Sequence, residues 1–307
     1  MRFLLKALTR VPLPVLYAVG TLIYFVLFHL MRWRREQVES DIQRAFPEKS
    51  PAERARILQQ SYRNIADVVM EAIWGFGASA EAIARRVNFE NRDLVDAARE
   101  AKQSVVLLTP HFCNWEWLLP AGGAYFGLPI DAVYQKQRLE VMDSFLRDAR
   151  TRAGGKPIVR EDFIYELMNR AAVPRGYAFI ADQTPPRNDK KHWSRFLNRD
   201  TAFFVGAEKV AHFLDSPVLY VAMRRVRRGH YSVRLHAIAM PPFDAEADNT
   251  PIMEHFARRL EAAVRESPAD WLWLQKRWKY PKTDDPAPEP RRRRARRQAP
   301  DTPPPAS

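Results

Sequence analysis

Ser104-Val105-Val106-Leu107-Leu108-Thr109-Pro110-His111-Phe112-Cys113-Asn114-Trp115-Glu116-Trp117 sets an unbroken β-rich run directly before a histidine. A short continuous apolar run that stops at a proline suits a strand buried on both faces, as in the sheet of an α/β protein. In open sheets of that kind, ligands bind at the carboxyl ends of the strands. His111 stands at such an end. If a helix starts near Asn114, Glu116 falls on its first turn, close enough for its carboxylate to meet the imidazole. A carboxylate there would fix the ring tautomer and stabilise the imidazolium formed when the other nitrogen takes a proton from a hydroxyl. This is a general-base constellation. A His and a Glu five residues apart also occur by chance, so spacing alone does not establish catalysis.

Outward from this stretch, β-rich and helical runs alternate. Ile130–Tyr134 precedes a helical Leu139–Arg150; Tyr177–Ala181, a helical Phe203–Leu214, Val218–Arg224 and Tyr231–Ala237 follow. Such alternation predicts an α/β fold, a sheet covered by helices. Upstream, Ser50-Pro51-Ala52-Glu53 combines a cap residue, a proline at the first helical position and a carboxylate at the third. It opens a helical pattern through Ile57, Tyr62, Ile65, Val69 and Ile73. Gly75-Phe76-Gly77 follows a helical pattern and not a strand, so it reads as a helix stop and not as a dinucleotide-binding turn. A last helix, about Ile252–Glu266, precedes Trp271-Leu272-Trp273. With no internal repeat or linker in 36–280, that stretch reads as one domain.

The two ends differ from the body. Val11 to Met31 is 21 residues without a formal charge, flanked by Arg2, Lys6 and Arg10 on one side and Arg32, Arg34 and Arg35 on the other. At 1.5 Å per residue it would make a helix of roughly 31 Å, about one hydrocarbon thickness. Residues 1–35 are therefore expected to be a membrane anchor, with a signal peptide or an interfacial helix as the alternatives. Residues 281–307 are Pro- and Arg-rich without apolar periodicity, which predicts a disordered tail. Its arginines suit a nucleic-acid arm, anionic headgroups or simple solvation; beside an anchor, headgroups fit better.

Composition limits the chemistry. In 307 residues, 49 Lys and Arg against 36 Asp and Glu give +13, and the tail holds only seven basic and four acidic side chains. The body is basic in its own right, which suits an anionic partner. One cysteine, Cys113, excludes an intramolecular disulfide and any Cys-cluster metal site. There is no Gly-x-Ser-x-Gly elbow, no His-Glu-x-x-His helix and no phosphate loop ending in Gly-Lys-Ser/Thr. The seven histidines are scattered without ligand spacing, so a metal is not required.

His111-x4-Glu116 after a short strand resembles the H-x4-D/E motif of glycerolipid acyltransferases. The wider pattern resembles the late lipid A acyltransferases of Gram-negative bacteria: an uncharged N-terminal segment, Arg44-Ala45-Phe46-Pro47, Arg150-x-Arg152, Ala181-Asp182-Gln183 and Trp273–Lys279 come in the same order. The resemblance covers about residues 10–280 and implies a central mixed sheet flanked by helices, with an N-terminal transmembrane helix. It further implies transfer of a fatty acyl group from an acyl-carrier-protein thioester to a hydroxyl of an anionic glycolipid, a lipid A precursor, without a cofactor, without an acyl-enzyme and without nucleic acid as partner. Another lysolipid or aminolipid acceptor is the alternative. The implied location is the bacterial inner membrane, with a single N-terminal pass and a cytoplasmic catalytic domain.

Under this reading His111 is the base and Glu116 its partner. Arg150, Arg152, Asp182 and Gln183 are the expected substrate-binding residues. Arg150 and Arg152 could pair with oxyanion or phosphate oxygens, or merely suit a helix C-terminus. Asp182 could hold a substrate loop, or simply open the turn Asp182-Gln183-Thr184-Pro185. Cys113, between Phe112 and Asn114-Trp115, reads as a buried thiol of low reactivity.

Overall fold

The computed structural model describes residues 6–137, 139–151, 156–243 and 251–284. Arg152 and the Arg-rich stretch 285–307 lie outside the described residues, so the expectations about them are not addressed by it.

The chain opens with α1 (Leu13–Phe25), which continues into a wider π-type turn, Val26–Leu30. Then come α2 (Arg35–Ala45) and the 25-residue α3 (Pro51–Gly75). The cap expected at Ser50 forms in full: its hydroxyl accepts from Glu53 N, while the Glu53 carboxylate accepts from Ser50 N at 2.8 Å. α3 ends at Gly75, where a Cβ would stand 2.4 Å from the Trp117 indole nitrogen. Glycine is needed there for close approach. α4 (Ala80–Ala84) and β1 (Val87–Phe89) follow.

The α/β body alternates as expected: α5 (Asp93–Glu100), β2 (Val105–Thr109), α6 (Leu118–Phe126), β3 (Ile130–Tyr134), α7 (Glu140–Thr151), β4 (Lys156–Val159), α8 (Phe163–Arg170) and β5 (Gly176–Ile180). A hairpin, β6 (Lys191–Phe196) and β7 (Arg199–Phe204), departs from the main sheet; its two turn residues, Leu197 and Asn198, both have positive φ. This hairpin was not foreseen, and it replaces the start of the helix expected at Phe203. α9 (Gly206–Leu214), β8 (Val218–Arg227), β9 (His230–Ala239) and α10 (Pro251–Glu266) complete the body.

Among the described residues, seven strands form one sheet in the order β1-β9-β8-β2-β5-β3-β4. Only β8 and β9 pair antiparallel, so the sheet is mixed. β2 is central, flanked by β5 and β8, and every residue of it is buried. Its apolar run has no alternation because both faces are covered. Chain connections leave β2 for β3 on one side and return by way of β5 to β8 on the other. The carboxyl end of β2 is thus a topological switch point, where an open sheet leaves a crevice.

Candidate active site

Strand register brings the first two site residues together. β2 and β5 run parallel with Thr109 opposite Ile180, and the ladder continues as Ala181 N donates to Thr109 O at 3.0 Å. Each strand then passes two residues beyond its last pair, to His111 and Asp182. His111 Nδ1 lies 2.7 Å from Asp182 Oδ1, and the His111 backbone N–H donates to Oδ2 at 3.1 Å. An ionised carboxylate can only accept, so Nδ1 carries a ring proton, and in the neutral ring Nε2 keeps its lone pair. The exposed Gln183 places its amide nitrogen 3.4 Å from that Nε2.

Asp182 is fully buried and held on several sides: Trp271 Nε1 donates to Oδ2 at 2.8 Å and Gln275 Nε2 at 3.2 Å. Burial alone would raise its carboxyl. The charge of His111, the hydrogen bonds from His111 and Trp271, and the Arg277 guanidinium outweigh it and hold Asp182 below the usual carboxylate range. Arg277 is itself buried, which brings it down to about 10, still cationic at neutral pH. The His111 turn is pinned from the same side: Leu272 N donates to His111 O at 3.0 Å and Cys113 N to Asp270 O at 2.9 Å.

The expected contact between Glu116 and the imidazole is corrected. Cys113 adopts φ +51°, and Asn114 then caps a short 3-10 turn, Trp115–Trp117, by accepting from Trp117 N at 3.3 Å. This turn lays the Trp115 ring edge-on against His111, with centroids 5.0 Å apart. Glu116 meets Arg150 instead: Nη2 reaches its two oxygens at 2.9 and 3.1 Å. The partner of the imidazole is Asp182, which sequence reading had placed on the substrate. Arg150, in the last turn of α7, therefore serves an ion pair more than the helix dipole. The roles of two supports escaped sequence reading, although their residues were in view. Asn114 Nδ2 donates to the buried Glu71 at 2.8 Å, and Trp271 and Gln275 orient Asp182. In both, the partner lies far off in sequence, so no local pattern could give the role.

Glu116 and Arg150 form a wall shared by two hollows. One, of about 100 Å³, is mainly apolar and runs beneath Thr109, Ile180, Trp115, Leu119, Ile130 and Phe179. The other, of about 460 Å³, opens between the turn after α3 and Pro120. A larger cleft of about 590 Å³, beside β1 and the β8–β9 hairpin, contains neither His111 nor Asp182. Cys113 is buried, and burial, with Asp270 beside it, pushes its thiol well above the ordinary range, so it offers no ready thiolate. Among the described residues, no group of three His, Cys, Asp or Glu is placed to hold a metal ion.

The profile of the bacterial lipid A biosynthesis acyltransferases matches residues 1–280. The chain belongs to that family. It is 24% identical to lipid A biosynthesis acyltransferase 2 of Shigella flexneri over 286 residues, 90% of this chain and 86% of that protein. It is 21% identical to the lipid A biosynthesis lauroyltransferase of Escherichia coli K12, covering 88% and 87% of the two chains. The E. coli K12 myristoyltransferase is 25% identical over 75% of this chain and 71% of its own. Membership of this family makes the chain an acyltransferase of lipid A biosynthesis, and the crevice at the end of β2 is where His111 and Asp182 meet.

Proposed function

We propose that the chain transfers a fatty acyl group from an acyl-carrier-protein thioester to a hydroxyl of a lipid A precursor, with His111 as general base. The observation that carries this reading is the His111–Asp182 pair, Nδ1 to Oδ1 at 2.7 Å, at the end of two strands whose last residues line an apolar hollow. Nε2 takes the proton of the acceptor hydroxyl as its oxygen attacks the thioester carbonyl. The tetrahedral intermediate then expels the carrier thiol, which recovers the proton from the imidazolium as the C–S bond breaks. Asp182 is a positioning residue: it fixes the tautomer and balances the transient charge.

Glu116 and Arg150 act as a unit. Among the described residues, the hydrogen bonds of Arg150 run from Nη2 alone, so its other N–H groups remain for the thioester oxygen as negative charge develops there. The apolar hollow receives the first carbons of the acyl chain, and Gln183, at the exposed edge of the imidazole, contacts the acceptor. No acyl-enzyme is needed. The donor is cytosolic, which puts the catalytic face on the cytoplasmic side of the inner membrane.

The test is purified enzyme with acyl-carrier-protein thioester and a lipid A precursor. His111→Ala should abolish transfer while thermal unfolding stays near that of the parent; turnover retained within tenfold would remove the base assignment. Mass spectrometry of lipid A from cells with and without the gene should show one acyl chain lost. An unchanged lipid A would move the acceptor to another lipid.

A further inference from the structure

Among the described residues, Leu13–Leu30 is an 18-residue stretch of mean hydropathy 1.9, long and apolar enough to cross a bilayer. Its packing argues for a different placement. Leu13, Leu16, Gly20, Tyr24 and Phe28 recur every three or four residues and are buried. Along this face α3 runs antiparallel, and the contacts extend from end to end. Thr9 lies against Gly77; the Tyr17 hydroxyl donates to Glu71 at 2.8 Å; Gly20 lies against Ala66 and Met70. Gln59 donates to the Tyr24 hydroxyl at 3.1 Å, and Phe28 meets the Tyr62 ring at 5.2 Å.

Polar groups of the body are fastened to the middle of this segment. The Arg228 guanidinium sits 4.0 Å over the Tyr17 ring and is paired with Asp67, while Arg63 lies 5.1 Å from the Tyr24 ring. A helix that crosses a bilayer takes what is packed on it into the hydrocarbon. Here that cargo would include Arg63, Asp67 and Arg228, and ionised groups at that depth are strongly disfavoured.

The opposite face of α1 is bare. Val15, Val19, Leu22 and Phe25 form a stripe at helical spacing and are 44–63% exposed. Leu30, Met31 and Trp33 continue it, and exposed Arg10 and Arg32 stand at either end. One apolar face, one face committed to protein, basic ends and a half-exposed indole are what a helix lying in an anionic lipid surface requires.

We propose that α1 lies in the plane of the membrane, with the Val15–Val19–Leu22–Phe25 stripe in the acyl boundary of an anionic leaflet and both ends of the helix on one side. This rests on the reading that the chain works at a membrane. It also bears on the site: Gly77 packs on Thr9 just ahead of α1 and lines the 460 Å³ cleft whose wall includes Glu116 and Arg150. An in-plane α1 would keep that cleft beside the lipid surface, within reach of an acceptor whose acyl chains stay in the bilayer.

Because Cys113 is buried, the full chain suits thiol mapping. Lys6→Cys and Glu36→Cys, both at exposed positions flanking the helix, are treated with a membrane-impermeant maleimide in spheroplasts and in inverted inner-membrane vesicles. Both should label in inverted vesicles and resist in spheroplasts, with a difference of at least tenfold. Position 6 labelled in spheroplasts and position 36 in inverted vesicles means a spanning helix and overturns the proposal. Both labelled in spheroplasts would uphold the in-plane helix but defeat the cytoplasmic sidedness of the proposed function. A chain that remains in the supernatant after lysis overturns both.

Discussion

At the residue scale, the site is a chain of neighbours: Asp182, His111, Trp115, Glu116, Arg150. Asp182→Asn keeps the size of the side chain but can present an amide N–H to the imidazole and reverse its tautomer. It should lower kcat by roughly 10³–10⁴-fold with little change in KM. A loss below tenfold would show that Asp182 does not orient the base. The depressed Asp182 carboxyl also contributes stability above the ordinary carboxylate pKa, which disappears as pH falls through the lowered folded value. Glu208 gives the opposite sign. It is buried on α9, accepts from Met253 N at 3.3 Å, and burial pushes it up to about 7 from 4.5. The folded chain then binds the extra proton, so this term is full below pH 4.5 and is lost as pH rises through about 7. Glu208→Gln should unfold at the parent temperature at pH 4 and be more stable at pH 8, by on the order of 2 kcal/mol after allowing for residual hydration. Equal shifts at both pH values would sink this account. The sequence exposed His111 and Asp182 as candidates, because each follows an apolar run that could be read as a strand. It could not pair them, since their contact depends on which strand lies beside β2.

At the scale of elements, local signals were legible where chemistry acts over a few residues. The Ser50 box, the stop at Gly75, and strands β2, β3, β5, β8 and β9 all follow from cap chemistry and apolar runs. Ser50→Ala should cost about 1 kcal/mol in chemical denaturation, because it strips one partner from the box. Gly75→Ala tests a tertiary constraint. Its Cβ would press on the Trp117 indole, which donates to Glu71 O at 3.1 Å and adjoins Glu116. A loss of about 1–3 kcal/mol together with reduced turnover is expected; an unaltered enzyme would mean that Trp117 can shift freely. The β6–β7 hairpin and short β1 and β4 were missed. β4, β6 and β7 carry charges among their apolar residues, so no clean period marks them, and the three residues of β1 are too few to show one.

At the scale of the whole molecule, the proposed attachment brings a basic body and the bare stripe of α1 to a lipid surface. The double substitution Leu22→Glu, Phe25→Glu places charge on the bare stripe of α1 and touches no buried contact. Binding to anionic vesicles should weaken by tenfold or more, given about 1.5–3 kcal/mol for each large apolar side chain removed from water, while the unfolding temperature holds. Co-sedimentation checks the first and calorimetry the second. Unimpaired binding would mean that another surface carries the attachment.

What the sequence determined by itself is whatever short-range physics dictates: an α/β alternation, an apolar segment near the N-terminus, a capped long helix, and a histidine at a strand end. Tertiary structure decided the rest. The register of β2 on β5 gave His111 the carboxylate of Asp182, 71 positions away, and the turn at Cys113 sent Glu116 to Arg150. The packing of α3 along α1 turned a segment long enough to cross a bilayer into one with a single bare face. The physical reason is common to all three. A side chain's partner is set by which backbone passes nearby, and in a mixed sheet with crossover connections that neighbour is distant in sequence.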